Sequence, residues 1–212
     1  MLQVEIRFVA LSFPPFAKVR VMNLPSKSFS PRFWVLTLLI LGAVFSRLLP
    51  HPPNFSPIAA AALFGAAFFP KRWQAFLIPI GATFLSDLVL NQVIYAQYST
   101  GIFYPGMGWQ YAAYALIVFA GFAIFRSVKA QTILGGALSA TVIFFLVSNF
   151  GSFLSNPVYP KTFGGRMTAY AAGFPFAHRT LLGDLFYSGV LFDSFALLNA
   201  GLPHLRLPKV QA

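Results

Sequence analysis

Two of the four acidic residues of this chain, Asp87 and Asp184, lie in apolar stretches that match each other. The first, "TFLSDLVLN", covers residues 83–91, and the second, "TLLGDLFYS", covers residues 180–188. Positions i, i+4 and i+8 of an α-helix share one face. Each stretch therefore predicts a helix with a polar stripe: Thr83, Asp87 and Asn91 in the first, and Thr180, Asp184 and Ser188 in the second.

A carboxylate inside an apolar helix is costly, and it indicates a functional site. It can line a polar pocket and bind a small molecule, or it can hydrogen-bond to a neighbouring helix and lock the bundle. We expect a pocket, in which Trp109 and Tyr159 stack against the ligand. For His178 and its neighbour Arg179, anchoring near the lipid headgroups is the alternative. The candidate ligand-binding residues are Asp87, Asn91, Asn149, Asp184, Asn54, Trp109, Tyr159 and His178.

Other chemistry has less support in the sequence. Cysteine is absent, which excludes disulfides, thiolate metal sites and cysteine nucleophiles. There are three histidines, and His204 is expected in a cytoplasmic tail, so we expect no metal site and no cofactor. His178, Asp184 and Ser188 are the residue types of a serine hydrolase. No nucleophile motif surrounds the serine, so we do not expect an enzyme.

The composition predicts where these stripes lie. Of the 212 residues, 58% are hydrophobic and 9% are charged, against about 25% charged in soluble domains. A membrane-spanning helix needs about 20 apolar residues, so the length allows about six spans and no sizeable soluble domain. We predict an all-α integral membrane protein. Its spans are expected near 33–49, 56–69, 73–94, 109–125, 130–153 and 174–199.

These spans would form one transmembrane domain over residues 33–200. We expect a poorly ordered basic cytoplasmic tail over 1–32, with Met22 as an alternative start, and a cytoplasmic tail over 201–212. The second span contains "AAAALFGAA", whose small residues at four-residue spacing let helices approach closely. Alanine and glycine are also simply common in membrane helices, so this interpretation stays open.

The basic residues predict the orientation. Eleven fall on one side: Arg7, Lys18, Arg20, Lys27, Arg32, Lys71, Arg72, Arg126, Lys129, Arg206 and Lys209. Four fall on the other: Arg47, Lys161, Arg166 and Arg179. The positive-inside rule then places both termini in the cytoplasm. The net charge of +11 is explained by this placement and by contact with anionic lipid, so we do not expect nucleic-acid binding.

This orientation brings the polar groups to similar depths. At 1.5 Å per residue, Asp87 lies about 21 Å from a span start near Trp73. Asp184 lies about 15 Å from an outer span start near Phe174. The polar groups are thus expected to converge on an outward-facing funnel. Asp193 points about half a turn away from Asp184 and is left out of the site.

Three stretches resemble an uncharacterised family of small bacterial membrane proteins. They are "RLLPHPPNFSPIAAAALFGAAFF", "LSDLVL" and "SNFGSFLSNPVYPKTFGGRMTAYAAGFPFAHRTLLGDLFYSGVLF". That family in turn resembles the substrate-binding S components of energy-coupling-factor (ECF) transporters. The resemblance implies a six-helix protein of the bacterial cytoplasmic membrane that binds a vitamin or another small polar molecule from outside. It also implies a separate coupling subunit and ATPases, and the sequence itself contains no G-x-x-x-x-G-K-[ST] phosphate loop.

The sequence therefore leaves two hypotheses for the function. The first is uptake of a small polar molecule through an S-component-like binding site. The second is an accessory or structural subunit of a larger membrane complex, in which the polar stripes only hold helices together. A bound small molecule would favour the first, and its absence would favour the second.

Overall fold

The computed structural model describes residues 29–98, 101–202 and 205. Over these residues the protein consists of helices and contains no strand, which confirms the all-α prediction. The six α-helices are α1 (Pro31–Ser46), α2 (Ile58–Phe68), α3 (Arg72–Val89), α4 (Met107–Ile124), α5 (Ala130–Ser155) and α6 (Phe163–Gly201).

The predicted tails fall almost entirely outside the described residues. This applies to 1–28 of the amino-terminal tail, to His204 and to 206–212 of the carboxyl-terminal tail. Arg32, which was predicted to lie in the tail, instead belongs to the first turns of α1.

Four helical segments are long and apolar enough to cross a membrane: Arg72–Ile94, Met107–Ile124, Ala130–Ser155 and Phe163–Gly201. They suggest a multi-pass membrane protein. The remaining helices are shorter, since α1 has 16 residues and α2 has 11. At 1.5 Å per residue α2 is about 16 Å long, which is about half of a 30 Å hydrocarbon core. The count of six spans stays a prediction.

The short helix α2 forms the centre of the bundle. Ten of its eleven residues are buried, and it contacts all five of the other helices. A helix that is apolar all round belongs in a core, and small residues allow the close contacts. A Cβ added at Gly65 would lie 3.3 Å from the Ala75 carbonyl oxygen of α3, and one at Gly121 of α4 would lie 2.6 Å from Ala66 Cβ. The small residues of α2 therefore do bring helices together.

Contacts at the helix ends show how the chain runs. Arg32, at the start of α1, donates a hydrogen bond to the Leu205 carbonyl (3.0 Å), just past the end of α6. The Phe33 ring lies 5.8 Å from that of Phe69, just past α2. We call this the Arg32 end of the bundle. The opposite end, where α1 stops and α3 stops, is the Arg47 end.

The sixth helix begins earlier than the sequence predicts, at Phe163 rather than near residue 174. It has 39 residues and is about 58 Å long. The Thr162 hydroxyl caps it by accepting a hydrogen bond from the Gly165 N–H (3.2 Å). Pro175 lies inside the helix, where the missing N–H removes one intrahelical hydrogen bond.

Candidate functional site

A partly open cavity of about 170 Å³ lies toward the Arg47 end of the bundle. The end of α1, the loop that leads into α2, and helices α4, α5 and α6 all contribute to its wall. Its polar lining residues are Arg47, His51, Asn54, Ser56, Gln110, Thr180 and Asp184. Ile58, Ala59, Tyr114 and Phe144 complete the wall.

Asp184 is the most deeply buried charged group in this wall, with 1% of its surface exposed. Its Oδ2 accepts a hydrogen bond from the Thr141 hydroxyl of α5 at 2.7 Å. Nearby, the buried hydroxyl of Ser56 has no hydrogen-bond partner among the described residues, and neither has that of Ser188, one turn further along α6. The cavity wall therefore contains one polar group, the Ser56 hydroxyl, that the described residues do not satisfy.

The loop before α2 reaches the cavity because its sequence suits a tight turn. Phe55 N–H donates to the Pro52 carbonyl at 3.1 Å, and Asn54 has a positive φ of 64°. A proline followed by a residue that tolerates positive φ is the pattern of a type II turn. The loop then rests against Gly183, because a Cβ there would lie 2.8 Å from the Ser56 nitrogen. The two motifs quoted above, "PNFSP" and "TLLGD", thus pack directly on each other.

Asp87 has a different environment. Its Oδ1 forms a salt bridge with Arg47 Nη1 at 2.7 Å, and its Oδ2 accepts a hydrogen bond from the Tyr111 hydroxyl at 2.7 Å. Arg47 Nη1 also lies 3.2 Å from the Ser86 hydroxyl. The side chains of Arg47 and Asp87 are 17% and 6% exposed. Asp87 is thus fully engaged in a mostly buried network that ties α1, α3 and α4 together.

Tyr104, in the loop before α4, completes this network. Its hydroxyl lies 3.4 Å from Asp87 Oδ2 and 3.1 Å from Gln110 Oε1, and its single proton can serve one of them at a time. Burial, together with the negative charge of Asp87, raises the pKa of the Tyr104 phenol well above its ordinary value. The group therefore remains a hydrogen-bond donor. Gln110 in turn lines the cavity, so the network reaches the cavity through both Arg47 and Gln110.

Asp87 and Asp184 do not contact each other directly, and only Asp184 lines the cavity. Helices α3 and α6 do not contact each other over the described residues. Asp184 lines the cavity, whereas Asp87 stands behind Arg47, which lines it. Both carboxylates point into the bundle, and the Arg47 guanidinium stands between Asp87 and the cavity.

Of the three predicted asparagines, only one lines the cavity. Asn54 lines the cavity. Asn91 does not line it; it lies past the end of α3, in the π-helical turn Leu90–Ile94. Its amide nitrogen is buried without a partner among the described residues. Asn149 Nδ2 donates to the Phe145 carbonyl of its own helix (2.7 Å).

The remaining three candidates lie away from the cavity wall. Trp109 packs against Gly151, and its ring meets that of Phe150 edge-on at 5.5 Å. Tyr159 sits in the α5–α6 loop, and His178 is exposed on α6. His178 and Ser188 are about 15 Å apart along one continuous helix, so with Asp184 they do not form the hydrogen-bonded set of a serine hydrolase.

The most informative residue that the sequence analysis left out of the site is Arg47. It was counted only as a topology signal, although a basic residue at the end of an apolar helix in a chain with four acids indicates a buried ion pair. Thr141, Tyr114 and Phe144 gave no signal, since such residues are frequent in any apolar helix. Over the described residues, no three His, Cys, Asp or Glu side chains cluster as metal ligands would.

The sequence profile of DUF6580, a family of unknown function, matches residues 27–205. The chain belongs to this family. Comparison with curated proteins and with solved structures gives no match. The matched range contains all six helices and every residue that lines the cavity, so the cavity is built wholly from the part of the chain that the family shares. These comparisons show no resemblance to ECF S components.

Proposed function

We propose that this protein is a multi-pass membrane protein that binds a small polar molecule in the cavity beside Asp184. The observation that carries the proposal is a cavity with seven polar lining residues in a bundle of largely apolar helices. Buried polar groups cost free energy unless they find partners, and a ligand supplies partners for Ser56 and Asp184. Ligand pockets for drug-sized molecules measure about 300–1,000 Å³. The cavity of about 170 Å³ therefore suits a smaller molecule.

The sequence allowed each aspartate to be either a structural bridge or a ligand-binding group, and we assign the first role to Asp87 and the second to Asp184. Asp87 holds three helices together through Arg47 and Tyr111, as a structural bridge does. Asp184 has one hydrogen bond from a neutral hydroxyl and lines the cavity, as a ligand-binding group does. An accessory subunit without a ligand would have no need of the second arrangement, so the cavity favours binding over a purely structural role.

We further propose that binding serves uptake across the bacterial cytoplasmic membrane, with a separate coupling subunit and ATPases supplying the energy. The support is indirect: the three quoted sequence stretches resemble an uncharacterised family that in turn resembles S components of ECF transporters, and the sequence contains no phosphate loop. In this proposal six helices cross or enter the membrane, the Arg47 end faces outward, and both termini are cytoplasmic. The split of basic residues between the two sides supports this orientation.

The orientation predicts how single cysteines react, and the chain has no cysteine of its own. Ile102, which is 48% exposed beside the Arg47 end, should react as Ile102→Cys with a membrane-impermeant maleimide in intact cells. Leu202, at the Arg32 end, should react as Leu202→Cys only after the membrane is permeabilised. Labelling of Leu202→Cys in intact cells, with Ile102→Cys protected, would reverse the orientation.

Blocking the cavity should remove the ligand. Thr180 lines the cavity, and its hydroxyl donates only within its own helix, to the Phe176 carbonyl. Thr180→Phe is therefore expected to fill the cavity at little cost elsewhere. Native mass spectrometry of the gently purified protein should show a bound small molecule in the wild type and at least a tenfold smaller bound fraction in the variant.

Thr168→Phe is the matched control. Thr168 lies on the same helix, is exposed, and makes the same kind of hydrogen bond, to the Gly164 carbonyl. This variant should keep the bound molecule. A wild-type protein with nothing bound, or equal occupancy in both variants, would contradict the binding function and favour an accessory role.

A further inference from the structure

We infer that the molecule bound in this cavity carries a positive charge, as a small primary amine or quaternary ammonium ion does. The inference rests on the proposed function and names its ligand class. It starts from the charges around the cavity. Arg47 is neutralised by Asp87 at 2.7 Å, whereas no basic side chain of the described residues lies within salt-bridge distance of Asp184. With Asp184 ionised, the three groups Arg47, Asp87 and Asp184 together have a net charge of −1.

The other titratable groups near the cavity do not offset this charge. His51 lies at the exposed rim, with its Nδ1 2.8 Å from the Leu49 carbonyl oxygen. Arg179 and His178 precede the cavity-lining Thr180 on α6, but neither lines the cavity. Tyr114 contributes a neutral phenol. A cation that enters the cavity therefore meets one uncompensated carboxylate.

The contrast between the two aspartates points the same way. Asp87 is met by a guanidinium and two tyrosine hydroxyls, all from the protein. Asp184 is as deeply buried, yet its hydrogen-bond partner among the described residues is the single neutral hydroxyl of Thr141. Buried charges in proteins are paired. The pairing that Arg47 supplies to Asp87 is what a cationic ligand would supply to Asp184.

Aromatic rings form part of the same wall. Tyr114 and Phe144 stack with their ring centroids 5.5 Å apart and their planes 13° apart, and both line the cavity with Asp184. Aromatic rings attract cations, and quaternary ammonium ions are bound in cages of aromatic rings. An anion would find less support, because the charge of Arg47 is already balanced by Asp87 and the Asp184 carboxyl group lies in the same wall. The wall therefore favours a cation over a neutral or anionic molecule.

A charge series of equal-sized probes tests this. Propylammonium, 1-propanol and propanoate would be added to the purified full-length protein in detergent at constant ionic strength. A ligand that binds the folded state raises the thermal midpoint with its concentration. Propylammonium should raise it, and the other two probes should not. In Asp184→Asn the apparent Kd for propylammonium should rise at least tenfold, and in Asp193→Asn, a half-buried carboxylate on the same helix outside the cavity, it should not change.

Several results would overturn the inference. The first is a rise in thermal midpoint with propanoate or 1-propanol as large as the rise with propylammonium. The second is no rise with propylammonium. The third is a rise with propylammonium in Asp184→Asn equal to that in the wild type. If Asp184→Asn does not fold, the charge series on the wild-type chain decides alone. Native mass spectrometry distinguishes failure of this inference from failure of the proposed function. A bound molecule that is neutral or anionic would support ligand binding but contradict the inference that the ligand is a cation.

Discussion

Asp87→Asn is expected to lower the free energy of unfolding by about 3 kcal/mol, since removing one partner of a buried ion pair leaves an uncompensated charge. Arg47 is 17% exposed and has the Ser86 hydroxyl as its other contact. Its guanidinium cannot lose its proton, so it would stay charged in a largely apolar bundle. In a chain of this length, about 3 kcal/mol corresponds to a fall of about 6–12 °C in thermal midpoint.

The partner substitution should cost less. In Arg47→Met the Asp87 carboxylate keeps the hydroxyls of Tyr111 and Tyr104, and it can also take up a proton to become neutral. The double variant Arg47→Met/Asp87→Asn contains neither charge. Replacing both members of a buried ion pair is often nearly neutral, so the double variant should be more stable than Asp87→Asn alone.

The measurement is the thermal midpoint of the four proteins in one detergent, read as a double-mutant cycle. Asp193→Asn serves as the control, because Asp193 is only half-buried and its loss should change the midpoint little. An Asp87→Asn variant as stable as Asp193→Asn would mean that the Arg47–Asp87 contact contributes nothing to the bundle. A double variant as unstable as Asp87→Asn would contradict this expectation and, being less stable than the wild type, would mean that the pair is net stabilising.

The polar stripes show what a sequence can predict about such a site. Spacing places Asp87 and Asp184 on the inner faces of their helices, and both are buried. Spacing carries no information about which partner each one meets, because that depends on the packing of helices distant in sequence. Asp87 meets Arg47 of α1, and Asp184 meets Thr141 of α5. For that reason Asp87 bridges helices, whereas Asp184 lines the cavity.

Helix boundaries were predictable where apolar residues are continuous and polar residues end them. The predicted segment 130–153 agrees closely with Ala130–Ser155, and 109–125 agrees with Met107–Ile124. The start of α6 was not predicted because the stretch "FGGRMTAYAAG" has little hydrophobicity. The Thr162 cap and packing against α5 stabilise the helix there instead. Hydropathy also cannot distinguish a helix that crosses a membrane from one enclosed by five others, as α2 is.

Gly183→Ala is the other change from which we expect a large effect. The new Cβ would stand 2.8 Å from the Ser56 nitrogen and 3.1 Å from Phe55 Cα. Both are backbone atoms of a turn that the Phe55–Pro52 hydrogen bond holds, so relief requires the whole loop to move. Overpacking of this kind costs about 1–3 kcal/mol. Because Asn54 and Ser56 line the cavity from this loop, ligand binding should weaken together with stability.

Gly189→Ala isolates that contact. Gly189 lies on the same helix, and a Cβ there meets nothing within 4 Å. Both variants gain up to about 1 kcal/mol from replacing glycine inside a helix, so the difference between them reports the approach of the loop alone. Gly189→Ala should have an unchanged or raised thermal midpoint and unchanged occupancy by native mass spectrometry, whereas Gly183→Ala should lose both. Equal midpoints would show that the loop does not rest on Gly183, and the cavity wall would then have to be built in another way.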